Sequence, residues 1–158
     1  MKATTEGNVV AIFQVKSNEL STPRILFCNE YKRSIQASSF SKGVPVDGID
    51  QTICLSNNSN VSYFVGLDAE NTSTSMFLSG DDNWLSGGEA KNVASKGVPV
   101  QSAMLSLWTN TSVAWSDERH KKNGNMGMAD GSVQGFSSSR LAEALRNTGV
   151  ATNRLVFP

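Results

Sequence analysis

An Asp-Gly pair, separated by nine residues from the only histidine of the chain, constrains the fold more than any other feature. Asp130 and Gly131 stand between two short segments that carry alternating apolar residues. A two-residue hairpin turn of type I′ needs positive φ at both central positions, which glycine adopts freely and aspartate tolerates. On the incoming side, Met126 and Met128 alternate with polar or small residues. The sequence therefore predicts a β-hairpin with its tip at 129–132 and one buried face.

Several segments of the chain carry a family resemblance. His120, nine intervening residues, Asp130 and Gly131 form a His-x9-Asp-Gly pattern. With this motif, the chain resembles type II secretion pseudopilins and other prepilin-like proteins that carry the prepilin-type processing-associated domain. Further blocks that resemble these proteins lie at 13–26, 61–69, 80–83 and 147–155.

The resemblance implies both a fold and a function. The implied fold is α+β and pilin-like, with an N-terminal helix packed on an antiparallel β-sheet and a short C-terminal helix. We expect one globular domain over 1–158, in which 1–22 is the tail of the N-terminal helix and 23–158 is the sheet-containing body. The implied function is that of a structural subunit of a type II secretion or type IV pilus-like filament that supports protein export, without enzymatic activity.

The implied location is the bacterial cell envelope, on the periplasmic face, with the precursor anchored in the inner membrane. Family members carry a leader and a long hydrophobic helix, whereas this sequence has neither a run of about 20 apolar residues nor a signal-peptide layout at Met1. We therefore expect 1–158 to be soluble and monomeric by itself. Its partners would be other pseudopilin subunits, through the missing helix, and the secretion machinery.

Charge and composition argue against a nucleic-acid-binding function and against an all-helical fold. The 14 basic residues balance the 14 acidic residues, so the chain lacks the positive field that attracts nucleic acids. Abundant Ser, Thr, Asn and Gly favour a β-rich body with polar loops over a helical bundle.

Periodicity and capping signals place the elements. Asn8 is a plausible cap for a helix that continues to about Leu20. Ser138 or Ser139 is expected to cap a late helix that runs through Asn147 and is terminated by Gly149. Strands are predicted at 24–28, 61–67, 75–79 and 104–115, the last with a break at Asn110, and 80–100 is predicted to be irregular.

No catalytic, cofactor or metal site is predicted. His120, Asp130 and a serine would supply the residue types of a hydrolase triad, but no serine lies in a nucleophile elbow. We therefore expect His120 to fix the loop before the hairpin, and we assign His120, Asp130 and Gly131 a structural role.

The alternative function is a calcium- or ligand-binding envelope domain that uses a pilin-like architecture without filament assembly. Oxygen ligands for calcium would come from Asp81, Asp82, Asp117 and Glu118. In the resembling family an arginine usually stands at the position of Asp82, which would oppose a cation.

The sequence leaves two properties open: the oxidation state of the cysteines and the burial of the tryptophans. Cys28 and Cys54 fit either a disulfide or two buried free thiols. Trp108 and Trp115 are expected to pack in the core, whereas Trp84, in a polar segment, is a candidate exposed contact residue.

Overall fold

The protein is described by a computed structural model that covers residues 8–30, 35–41, 52–87, 98–99 and 104–158. Within these residues, two antiparallel sheets and a few helices form a mixed α and β fold, as expected. The strands are β1 Tyr63–Gly66, β2 Phe77–Asp81, β3 Trp84–Ser86, β4 Val98–Pro99, β5 Met104–Trp108, β6 Val113–Trp115, β7 Asn123–Met128, β8 Val133–Ser137 and β9 Thr152–Val156. The larger sheet has six strands in the order β5-β9-β1-β2-β7-β8, and the smaller has three in the order β4-β3-β6.

The longest described helix lies near the C-terminus and not at the N-terminus. The helices are α1 Val9–Val15, α2 Ser17–Leu20 and α3 Ser138–Arg146, and 3₁₀ helices span Pro23–Leu26 and Asn58–Asn60. The prediction of one N-terminal helix accompanied by a short C-terminal helix is therefore wrong for the described residues. Asn8 does cap α1 by accepting from the Ala11 N–H, but the chain leaves helical geometry at Lys16. Helical geometry resumes over Ser17–Leu20 as α2, so the helix predicted to continue to about Leu20 is divided at Lys16.

Two apolar clusters cover opposite faces of the larger sheet. Adjacent residues of a strand point to opposite faces, and Leu155 and Val156 of β9 accordingly belong to different clusters. The main core fills the space between the larger sheet, α3 and the smaller sheet: Phe64, Phe77, Trp84, Leu107, Val113, Trp115, Met126, Met128, Phe136, Leu141, Leu145, Leu155 and Phe157. The second core packs α1 on the other face: Val9, Val10, Leu26, Ala37, Leu55, Val61 and Val156.

The predicted strand at 24–28 is instead a 3₁₀ helix over Pro23–Leu26. Pro23 stands at its first position, where the fixed φ of proline suits a helical turn and no N–H is needed. Thr22 caps the turn by accepting from the Arg24 N–H. Local capping thus overrides the short apolar run from which the strand was predicted.

The predicted hairpin is confirmed as β7 and β8, but its turn type is not I′. Among the two central residues only Gly131 has a positive φ, at 84°. The Gly131 N–H donates to the Met128 carbonyl over 3.0 Å, and the Met128 N–H donates to the Ser132 carbonyl over 2.8 Å. This pattern is typical of a three-residue loop with a glycine bulge, which needs a left-handed conformation at one position only.

The tryptophan assignments are partly wrong. Trp84 is buried at 1% exposure and lies at the centre of an aromatic cluster, with ring centroids 5.3–6.0 Å from those of Phe64, Phe77, Trp115 and Phe157. Trp108, on the edge strand β5, is 61% exposed. The segment that was predicted to be irregular contains β3 and β4, while 88–97 and 100 lie outside the described residues.

Other boundaries agree more closely with the sequence. The break at Asn110 is confirmed, because β5 ends at Trp108 and β6, in the other sheet, begins at Val113. The late helix α3 is also confirmed, but the prediction of its cap is wrong: Ser137, and not Ser138 or Ser139, caps it by accepting from the Arg140 N–H. Across the part of the chain that is described, no helix combines the length and the apolar character needed to cross a membrane.

Candidate functional site

A cavity of about 310 Å³ opens on the larger sheet, on the face opposite the main core. Phe64 and Met126 point into the main core, so their strand neighbours Tyr63 and Asn125 point to the cavity side. The lining is completed by residues of β2 and β7, by the start of β8 and by two residues outside the sheet: Cys28, Tyr63, Ser79, Gly80, Asp81, His120, Asn125, Met126, Gly127 and Val133.

Three side chains that are capable of acid–base or nucleophilic chemistry converge at this cavity. The Nε2 atom of His120 lies 3.4 Å from Cys28 Sγ and 3.7 Å from Asp81 Oδ2. The side chain of Asp81 is 3% exposed and that of His120 is 28% exposed. Both cysteines are free thiols; Cys28 is buried and Cys54 is partly buried. The cavity therefore joins a thiol, an imidazole and a buried carboxylate.

Backbone contacts fix two of these groups. The Cys28 N–H donates to Ser62 Oγ over 3.1 Å, just after the first 3₁₀ helix ends. Asp81 closes β2, and its Oδ2 accepts the Asn125 N–H of the neighbouring strand β7 over 2.7 Å. A carboxylate that is removed from water needs such donors to remain stable. The positions of both groups are thus set by the sheet.

His120 reaches the cavity from an unusual turn. His120, Lys121 and Lys122 all have left-handed backbone conformations, with φ of 50°, 50° and 63°. Such conformations cost free energy for residues other than glycine and persist where surrounding contacts enforce them. Asn123 supplies such contacts, because its side-chain amide donates to the carbonyls of His120 and Lys121.

The arrangement differs from a catalytic triad. In a triad the nucleophile contacts one ring nitrogen of the histidine while the carboxylate orients the ring through the other. Here Cys28 and Asp81 both approach Nε2 of His120. The carboxylate therefore does not set the tautomer in the manner of a hydrolase.

Tyr63 adds a neutral hydroxyl to the cavity wall. Burial raises the pKa of Tyr63, and the nearby Cys28 and Asp81 raise it further, against the opposing effect of Arg119. The phenol therefore stays protonated at neutral pH and retains its O–H donor.

The predicted motif residues do not form one site. A six-residue strand, β7, separates His120 from the turn that holds Asp130, and such a strand is about 20 Å long. Asp130 is exposed, and its Oδ1 accepts the Ser132 N–H over 2.9 Å. That backbone hydrogen bond is the main cause of the lowered pKa of Asp130. The His-x9-Asp-Gly spacing thus describes one strand with a turn at each end.

The acidic residues proposed as calcium ligands are not arranged around a common site either. Asp82 forms an ion pair with buried Arg119, whose Nη1 also donates to the Ser62 carbonyl over 3.2 Å. Asp117 lies 3.3 Å from Lys122 Nζ at the surface. Among the residues that the structure describes, no three His, Cys, Asp or Glu side chains are arranged to hold a metal ion.

Sequence reasoning missed Cys28, Tyr63 and Asp81 as neighbours of His120. Cys28 and His120 are 92 positions apart, and no spacing pattern connects them. The one available signal was the scarcity of these side chains, since the chain has two cysteines and a single histidine.

The sequence matches no protein-family model, no curated protein and no solved structure.

Proposed function

We propose that this chain is the globular part of a pseudopilin-like structural subunit, which assembles into a type II secretion or type IV pilus-like filament in the bacterial envelope and supports protein export. The proposal starts from the blocks of sequence that resemble those proteins. In that family, a hydrophobic helix joins the globular domain, anchors the precursor in the inner membrane and packs with other subunits in the filament.

The observation that carries the proposal is the packing of α1 on the centre of the larger sheet. Val9 and Val10 are buried with Val61, which lies just before the central strand β1, and with Val156 of the neighbouring strand β9. A helix in this position is suited to transmit force from an assembly helix to the sheet. It would be the end of the assembly helix, interrupted at Lys16.

The test removes the gene from the organism that encodes it and compares the proteins exported with and without complementation. We expect the wild-type gene to restore export and Val10→Asp to fail, because the charge would lie in the second core. Val15→Asp, on the same helix but at a residue that is 78% exposed, is the matched control and should restore export.

Folding and assembly are separated by a second measurement. Val10→Ala is milder and should keep the domain folded, as checked by circular dichroism on purified 1–158, while it weakens the attachment of α1. Unchanged export after deletion of the gene would contradict the proposal.

A second candidate is a ligand-binding envelope domain that does not assemble. One observation favours it, namely the cavity at Cys28, Asp81 and His120. The calcium form of this alternative lacks support, because Asp82 is paired with Arg119. A gene deletion that leaves export intact, combined with ligand binding by purified 1–158, would favour this candidate.

A further inference from the structure

The thiol of Cys28 faces a cavity and a base, which is an arrangement suited to covalent chemistry. We propose that Cys28 is a thiol–disulfide exchange site, that small organic disulfides are its co-reactants, and that His120 takes the proton of the thiol. The proposal rests on the cavity alone and stands whether or not the chain assembles into a filament.

The first support is geometric. Cys28 Sγ lies 3.4 Å from His120 Nε2, within reach of a hydrogen bond that involves sulfur. The cavity of about 310 Å³ falls at the lower end of the range for small-molecule sites, so it accommodates a small disulfide rather than a protein loop. Because the Cys28 N–H is bonded to fully buried Ser62, the thiol is held in place.

The second support is electrostatic. Once His120 has taken the proton, the imidazolium lies 3.7 Å from the buried carboxylate of Asp81. The carboxylate oxygen thus stands beside the ring nitrogen that receives the proton and balances the charge gained in the transfer. The thiolate, and not the thiol, is the nucleophile in disulfide exchange. Asp81 is therefore a positioning and charge-balancing residue that acts through His120.

The step balances without an external oxidant or reductant beyond the disulfide itself. His120 Nε2 accepts the Cys28 proton, and the thiolate attacks one sulfur of the small disulfide. A bond forms between Cys28 Sγ and that sulfur while the original S–S bond breaks. The departing thiolate receives the proton from His120, which yields a mixed disulfide on Cys28 and one free small thiol.

The other cysteine serves as an internal reference. Cys54 is partly buried, and its Sγ lies 3.9 Å from the Thr52 carbonyl, an acceptor that cannot take the thiol proton. Among the described residues, a base lies within hydrogen-bond reach of Cys28 and none lies within such reach of Cys54. We therefore expect Cys28 to be more reactive than Cys54.

The experiment uses purified 1–158 with either Cys54→Ser or Cys28→Ser, so that one thiol remains in each protein. Bis(2-hydroxyethyl) disulfide, a small neutral disulfide, is the probe, and mass spectrometry measures the rate at which the mixed disulfide forms at neutral pH. We expect Cys28 to react at least about tenfold faster than Cys54, in line with the usual effect of a positioned base.

His120→Asn, made in the Cys54→Ser background, tests the base. Asparagine tolerates positive φ, so the turn is retained while the base is lost. We expect the Cys28 rate to fall about tenfold or more. Lys121→Asn is the matched control, because Lys121 has the same φ of 50° but does not line the cavity. It should leave the rate unchanged in salt high enough to screen the lost charge.

Folding is monitored by the thermal midpoint of each variant, and rates are compared below that temperature. If His120→Asn lowers the midpoint into the assay range, His120→Gln replaces it. The proposal is overturned if Cys28 reacts no faster than Cys54, or if the His120 variant that remains folded in the assay reacts at the wild-type rate.

Discussion

The backbone of Gly124 lies so close to the indole ring of Trp115 that a methyl group at Gly124 would overlap the ring. A Cβ built on Gly124 would be 2.5–2.6 Å from three atoms of the six-membered ring. Trp115 is fully buried on β6, so the ring has no space into which to retreat. The contact links β7 of the larger sheet to the smaller sheet.

Gly124→Ala should therefore destabilise the domain by about 1–3 kcal/mol, the usual cost of overpacking a core. Gly127→Ala is the matched control in the same strand, because among the described residues its Cβ would meet only the Ser79 carbonyl oxygen, at an ordinary 3.5 Å. Urea denaturation monitored by tryptophan fluorescence measures both. Equal midpoints for the two variants would contradict the assigned contact.

Trp84 should contribute far more to stability than Trp108. Trp84→Ala removes the centre of the aromatic cluster and is expected to cost about 3–5 kcal/mol. Trp108→Ala changes a residue that is 61% exposed and should stay within about 0.5 kcal/mol of wild type.

Trp84→Phe should cost much less than Trp84→Ala. The Nε1 atom of Trp84 is buried with no hydrogen-bond partner among the described residues, so replacing the indole forfeits no hydrogen bond to it. Thermal unfolding compares the two variants, and a loss as large for phenylalanine as for alanine would show that the indole N–H is paired.

These two tryptophans also show where sequence reasoning succeeds and fails. The Asp130-Gly131 hairpin and the late helix were predictable, because turn residues and caps act locally. The role of Trp84 was not, because its polar neighbours in the sequence say nothing about the aromatic rings that surround it in the fold. The same limit hid the contact between Cys28 and His120, since tertiary structure alone brings them together.

The cost of a substitution at Gly131 should depend on how readily the new residue adopts a positive φ, and not on the size of its side chain. Its φ is 84°, and a Cβ there would meet no atom within 4 Å among the described residues. Gly131→Val should destabilise by about 1–3 kcal/mol, because a β-branched residue is strained at this φ. Gly131→Asn should cost clearly less, because asparagine adopts left-handed conformations more readily. If chemical denaturation gives the two variants the same stability, the turn is not held as described.

The Asp68–Arg154 ion pair should make stability depend on acidic pH. Burial alone would raise the pKa of Asp68, but hydrogen bonds from the Arg154 side chain and backbone N–H, together with its positive charge, lower it below 3.8. A carboxyl whose pKa is lowered by folding stabilises the folded state above its unfolded pKa, and that contribution is lost as pH falls through the folded pKa.

Asp68→Asn should therefore be less stable than wild type at neutral pH, and the difference should shrink progressively below about pH 4. Glu70→Gln, at an exposed residue of the same loop, is the control. Urea denaturation at a series of pH values measures the difference. A difference that stays constant down to about pH 2 would show that the pair does not link protonation to folding.

The central claim, that the chain is a filament subunit which assembles through a hydrophobic helix joined to its N-terminal side, is tested most directly by sedimentation. The measurement compares purified 1–158 with the natural protein recovered from cells after mechanical shearing. The account predicts that 1–158 sediments as a 17.0 kDa monomer at micromolar concentration, whereas the cellular protein sediments in filaments that an antibody against 1–158 decorates. Recovery of the cellular protein only as a freely diffusing monomer would contradict the account.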